Sequence, residues 1–308
     1  MSTPKVLLHL GLPKTATSSL QHNVLQKLHE NKKINFLGKC LDYDYKTAKL
    51  EVFNYSGKFI RDAAEEKLPI EEARKQLTTV LDSDVLNVFS DEGLMVAYPG
   101  NENLPLKKKF ENLNAIFQDY DVQVVVTLRD PVDYLYSLYV QLYPDFCSRV
   151  QELNSVQKYV ERLLSDPSDV LFESFFYSQW LPELQNRFDV AVFQYQDLAV
   201  KAPSAYQGWA DVLEVPVDEF SILFDAKRVN EKKKSGKEVQ KVRDFKGIEG
   251  VFRRSLSRSP IVFWVVKWIY NRTSLKNIFS YRFTSSMKHR FPEGKQYERL
   301  NAIFDKGV

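Results

Sequence analysis

Cysteine, histidine and long apolar runs are scarce in this sequence. Its 308 residues include two cysteines, Cys40 and Cys147, far apart and in no CxxC pair or Cys/His cluster. That argues against a metal site and makes two reduced thiols the expected state. No stretch approaches the ~20 apolar residues a membrane-spanning helix needs. The N-terminus MSTPKVLLHLG carries only a short apolar run, without the layout of a secretory signal, so a cytoplasmic location is expected. What remains, 44% hydrophobic and 27% charged, is ordinary globular composition, enough to build one large α/β domain or two small ones.

The net charge of +3 conceals an asymmetry. Residues 227–290 hold 18 Lys/Arg against 4 Asp/Glu, so the first 226 residues carry a net −11. The chain therefore divides into a core, 1–226, and a basic C-terminal segment, 227–308, expected to complete or cover a site in the same domain. Such a basic tract suits an anion or a membrane surface, although a basic run is often no more than a solvated face.

Short apolar runs at 5–10, 34–38, 85–90, 122–128 and 189–195 read as strands. The run VQVVVTL at 122–128 is β-branched with little alternation, as a strand buried on both faces would be. Helical patterns fill the intervals, at 16–31, 70–81, 105–119 and 132–142. Strands alternating with helices imply βαβ units: a three-layer α/β fold around a central, mainly parallel sheet, of the P-loop nucleotide-binding type. In such sheets ligands bind beyond the carboxyl ends of the strands. Gly11, Asp91–Glu92 and Arg129 each follow a strand end, which would let them line one crevice.

The sequence also lacks a Walker lysine. KVLLHLGLPKTATSSL (5–20) runs from a strand through Gly11, Lys14 and a set of hydroxyls into a helix. Counting from Gly11, the second-Gly position of G-x-x-x-x-G-K-[ST] is Ala16 and the Lys position is Thr17. An ATPase-type lysine is therefore missing. Backbone N–H groups at a helix start still favour an anion, against the plainer reading of a strand–turn–helix with hydroxyl caps. A second stretch, VVVTLRDPVDYLYSLYVQL, ends a strand at Arg129, opens a helix with Pro131 and places Ser137 eight residues after the arginine.

Together the two stretches resemble the sulfotransferases that use 3′-phosphoadenylyl sulfate (PAPS), whose 5′-phosphosulfate loop reads roughly P-K-[ST]-G-[ST]-[ST]. Here it reads Pro13-Lys14-Thr15-Ala16-Thr17-Ser18. Ala16 is a departure that gives up glycine's free access to positive φ and is expected to reshape the loop slightly. FYSQWLPELQNRFDVAVFQYQDL (176–198) continues the family-like order, and the likeness spans about residues 5–235. The resemblance implies that the loop from Gly11 to Ser18 holds the 5′-phosphosulfate, that Arg129 and Ser137 hold the 3′-phosphate, and that no metal is needed. Arg forks two donors onto phosphate oxygens; the structural alternative is an ion pair of Arg129 with Asp130 or Asp133. Arg228, with Lys234 and Lys237, resembles the late basic segment that closes over the nucleotide.

For the reaction itself, Lys14 is the candidate for the bridging oxygen and Glu92 the candidate base, with Asp91 second. The competing reading of VFSDEGLMV is a turn whose acids cap the next segment. Members acting on small molecules use a His, and many glycan sulfotransferases a Glu. His9 falls inside a strand, His22 and His29 run along the helix, and His289 is in the tail. The expected function is therefore sulfuryl transfer to a hydroxyl on a carbohydrate or glycolipid. The alternatives are an ATP-dependent P-loop kinase and a non-catalytic anion- or membrane-binding protein. RRSLSRSPIVFWVVKWIYNRTSLKNIF (253–279) is too short to span a bilayer but suits peripheral membrane contact as an interfacial helix, or a buried helix. No nucleic-acid partner is expected.

Overall fold

A computed structural model describes residues 3–44, 49–226, 239–244 and 285–306. The nine described strands are β1 Lys5–Gly11, β2 Ile34–Phe36, β3 Cys40–Asp44, β4 Lys49–Asn54, β5 Leu86–Ser90, β6 Asp121–Leu128, β7 Asp189–Gln194, β8 Val239–Asp244 and β9 Ser285–Arg290. Five of them form a sheet in the order β2-β5-β1-β6-β7, with every pairing parallel. The pairs β3–β4 and β8–β9 are antiparallel and form two separate two-stranded sheets. All five strands read from the sequence are thus present, while neither antiparallel pair was read from it.

The sheet is covered on both faces because alternate residues of its central strands are apolar in both directions. On β1, Val6, Leu8 and Leu10 join one core and Leu7 joins the other. On β6, Val124, Val126 and Leu128 face the first core and Val125 the second. The first core takes helices Lys58–Ala64, Leu106–Phe117, Pro131–Arg149 and Val156–Ser165. Leu106–Phe117 shows why: Leu106, Phe110, Leu113 and Phe117 recur at helical spacing and are all buried. The second core packs Leu20, Val24 and Leu28 against Trp209 and Phe220 of helices Pro203–Val212 and Val217–Asp225. From the basic C-terminal segment, helix Lys295–Lys306 sends Leu300 and Phe304 into the first core, where Phe304 meets Phe176 with ring centroids 5.4 Å apart.

The expected helix at 16–31 is continuous but irregular. Thr17–Ser19 is α-helical, Leu20–Leu25 is π-helical and Gln26–Glu30 returns to α. Helix Pro131–Arg149 is longer than the 132–142 expected; Pro131 occupies its first turn, and the Asp130 side chain accepts from the Asp133 N–H to cap it. Among the described residues no helix is long and apolar enough to cross a membrane. The segment 253–279 and residues Arg228, Lys234 and Lys237 lie outside the described residues.

Candidate active site

β1 lies between β5 and β6, so the turns leaving these three strands are neighbours at one edge of the sheet. This edge brings together the loop after Gly11, the Asp91–Glu92 pair and Arg129.

The loop is built on left-handed backbone. Gly11 has φ 91°, Lys14 φ 67° and Ala16 φ 68° with ψ 16°. Ala16 holds a left-handed conformation that glycine adopts without a Cβ penalty, so the alanine there carries backbone strain. At Gly11 a side chain is excluded outright, since a Cβ there would sit 2.6 Å from Cβ of Glu92. The absent side chain is what lets the acidic residue approach the loop. The Thr15 hydroxyl donates to the Leu12 carbonyl and closes the loop on itself, and Thr15 and Thr17 are buried. Pro13 is buried, and Lys14 and Ser18 are half-buried. The first N–H groups of the helix that follows have no intrahelical acceptor, a ready arrangement for anionic oxygens.

Arg129 ties the second stretch to the first. Its Nη1 donates to the Lys14 carbonyl at 3.1 Å, and its guanidinium lies 4.9 Å from the centre of the Tyr195 ring. Its own carbonyl accepts from the Tyr177 hydroxyl at 2.8 Å. The expected alternative, a pair with Asp133, is present but long, 3.7 Å to a half-exposed carboxylate, and such pairs contribute little. Nε of Arg129 is buried without a hydrogen-bond partner. A buried, unpaired guanidinium N–H is costly unless a ligand meets it, and a phosphate oxygen is the acceptor that guanidinium geometry suits. The residues present therefore fit the nucleotide that the sequence implied. Ser137 is largely buried on the helix that Asp130 caps.

The two acids separate by role. Asp91 is fully buried and caps the 3₁₀-helix Glu92–Met95 by accepting from the Gly93 N–H at 2.8 Å. It also meets Arg61 at 3.1 Å, Lys39 at 3.3 Å and the Tyr55 hydroxyl. Burial alone would raise its carboxyl, but Lys39 and Arg61, with the Tyr55 and Gly93 hydrogen bonds, outweigh burial and hold it below its ordinary value. The capping reading thus describes Asp91. Glu92 is the more accessible acid and stands over Gly11; its Oε2 accepts from Gln21 at 2.8 Å and its Oε1 lies 3.5 Å from Lys39. Burial works to lower Lys39, yet Glu92 and Asp91 together raise it above its ordinary value, so it stays charged.

Three of the four histidines have side-chain contacts of their own. Burial drives His9 down to about 3, so it is neutral; its Nδ1 lies 2.8 Å from Ser90 Oγ and its ring packs edge-on against Trp209. His22 Nδ1 lies 3.5 Å from the buried Cys40 thiol, which forms no disulfide. His29 Nδ1 accepts from the Phe36 N–H. Sequence reasoning missed Lys39, Arg61 and Tyr55, which come from segments with no motif. It also missed Gln21, whose one signal was its place on the first turns of the helix behind the loop.

A parallel α/β sheet with a glycine-started loop at its central strand and an arginine beside it defines a protein of the P-loop type. Residues 4–260 match the sulfotransferase domain family, and the chain belongs to that family. Among solved structures it is similar to a sulfotransferase from Alicyclobacillus acidocaldarius, at 16% identity over 71% of this chain and 83% of that one, TM-score 0.45. It is also similar to the mouse sulfotransferase SULT7A1 complexed with PAP, at 14% identity over 73% and 65%, TM-score 0.41. The sulfotransferase domain from the curacin biosynthetic pathway matches at 13% identity over 75% and 82%, TM-score 0.40. No curated protein matches the chain.

Proposed function

We propose that this sulfotransferase moves the sulfuryl group of PAPS to an acceptor hydroxyl on a carbohydrate or glycolipid, with Glu92 as general base. The observation that carries the reading is the juxtaposition at Gly11: a carboxylate seated on a phosphate loop whose Lys14 carbonyl is held by Arg129. In the reaction the acceptor oxygen bonds to sulfur as the bond from sulfur to the bridging phosphate oxygen breaks. The electron pair leaves with adenosine 3′,5′-bisphosphate, and the acceptor proton passes to Glu92. The Lys14 ammonium offsets charge on the bridging oxygen. Residues Gly11–Ser18 hold the 5′ side, Arg129 and Ser137 hold the 3′-phosphate, and Arg228 closes over the nucleotide. A carboxylate base rather than a histidine supports the carbohydrate class, since His9, His22 and His29 are committed to other contacts. The proposal places the enzyme in the cytoplasm, with peripheral membrane contact through 253–279 on the strength of its composition.

Calorimetric titration with adenosine 3′,5′-bisphosphate, and separately with ADP plus Mg²⁺, tests the nucleotide. Bisphosphate binding weakened about tenfold to a hundredfold in Arg129→Ala, the loss of a charged hydrogen-bond donor, is the expected result. Preference for ADP with Mg²⁺ would turn the reading to a kinase. Glu92→Gln should keep bisphosphate affinity and lose sulfuryl transfer by a factor of about 10² or more.

A further inference from the structure

Among the described residues, the Glu92 carboxylate accepts one short hydrogen bond, and it comes from Gln21. The Gln21 side chain is buried, and its amide nitrogen donates twice: to Glu92 Oε2 at 2.8 Å and to Ser90 Oγ at 3.0 Å. Both amide hydrogens are therefore spent. Behind Ser90 stands His9, buried and 2.8 Å away, so the hydroxyl is itself fixed and the amide cannot turn. Ser90 is the last residue of β5 and Glu92 follows two residues later, so Gln21 bridges a strand end and the acid that leaves it. The opposite oxygen of Glu92 faces Lys39 at 3.5 Å, and Lys39 is shared with Asp91. That contact is long and divided, whereas the amide bond is short and directed.

The backbone at Gln21 is also unusual. Its carbonyl accepts from the N–H of Gln26, five residues on, and Leu20–Leu25 form a π-helical turn directly after the loop that follows Gly11. A π turn is less favourable than an α turn, and it is retained here where a polar side chain must stay buried and reach the next strand.

We propose that Gln21 is the positioning residue for the base: it fixes the Glu92 carboxylate over the phosphate loop, with Ser90 and His9 as its support. The inference rests on Glu92 being the base. Gln21 does not touch the reacting atoms in this role; it removes the rotational freedom of the group that does.

The test uses the full chain, PAPS as donor and water as the acceptor, reading release of adenosine 3′,5′-bisphosphate in wild type, Gln21→Leu, Glu92→Gln and the double variant. Gln21→Leu keeps the side chain's bulk and removes both donors. Its turnover number should fall at least about tenfold, a misplaced reacting group costing up to about a hundredfold, while bisphosphate affinity by calorimetry stays within about twofold. The double variant should be no slower than Glu92→Gln alone, because a positioning residue has nothing to act on once the base is gone. Full turnover in Gln21→Leu alongside an impaired Glu92→Gln, or additive losses in the double variant, overturns the inference and leaves the base assignment standing. Full turnover in Glu92→Gln sinks the base assignment itself, and the role of Gln21 with it. A crystal structure of Gln21→Leu with the bisphosphate decides the matter independently of rate: a displaced Glu92 carboxylate supports the proposal and an undisplaced one overturns it. If Gln21→Leu does not fold, Gln21→Asn, too short to span Ser90 and Glu92, takes its place in each measurement.

Discussion

Ala16 shows how much one residue can carry. Its φ of 68° places an L-residue in the left-handed region, directly before the helix that the loop after Gly11 feeds. The Cβ penalty there is of the order of 1 kcal/mol, partly offset because alanine loses less backbone entropy on folding than glycine does. Ala16→Gly should therefore stabilise the protein by up to about 1 kcal/mol, read as a raised midpoint in urea unfolding, with bisphosphate binding retained. A fall in the midpoint would mean that the alanine methyl packs usefully and the strain is not there. Gly11 is the opposite case: its neighbour Glu92 leaves no room for any side chain. The sequence announced both positions, one as a loop glycine and one as a departure from the family pattern, but not which acid would stand over them.

At the scale of elements, the short 3₁₀-helix Glu92–Met95 is held from behind by a buried lysine. Lys109 of helix Leu106–Phe117 donates to the Leu94 carbonyl at 2.9 Å and the Val96 carbonyl at 3.5 Å, and burial lowers its ammonium to about 8. The unfolded chain keeps this proton up to about 10.4. Between about pH 8 and 10.4 the unfolded state thus binds more protons, and this group makes stability rise with pH across that window. Lys109→Met should remove that rise while leaving the Leu94 and Val96 carbonyls without their donor, a cost of about 1–3 kcal/mol at pH 7. Urea unfolding of both proteins at pH 7, 8, 9 and 10 checks the sign; equal slopes in the two would refute it. Periodicity made the 105–119 helix legible, with its apolar stripe plain, but Lys109 sits in that stripe and nothing local marks a charged residue as buried. The antiparallel pair of β3 and β4 was illegible for a related reason. Its pairing is between two short segments whose composition gives no clear strand signal, and partner choice is a tertiary matter.

For the whole molecule, the site is a product of strand order. β1, β5 and β6 are adjacent, although the chain places the helix of 17–30, strands β2, β3 and β4, and helices Lys58–Ala64 and Ile70–Val80 between β1 and β5. A ligand bound across their ends ties the two halves of the sheet together and binds only the folded state. Adenosine 3′,5′-bisphosphate at a hundred times its dissociation constant should add about 2.7 kcal/mol of stability in wild type. The same total concentration should add much less in Arg129→Ala. Thermal melts at matched ligand concentration would show this, and an equal shift in both proteins would place the ligand away from Arg129.

What the sequence determined alone is whatever its local chemistry dictates. The β-branched run at 122–128, the apolar stretch before Gly11 and the helical spacings between them imply a parallel α/β sheet. The loop GLPKTATSS and the Arg129–Ser137 spacing imply the family. What only the tertiary structure decided is which side chains meet. Lys39 and Arg61 come from separate segments and both pair with Asp91. That leaves Glu92, rather than Asp91, open to the loop, with Gln21 bonded to it across the gap between a helix and a strand end. Spacing along a chain encodes neighbours within a turn or a pleat. Contacts across elements depend on the order in which the strands pack, and that order is set by the burial of both sheet faces together.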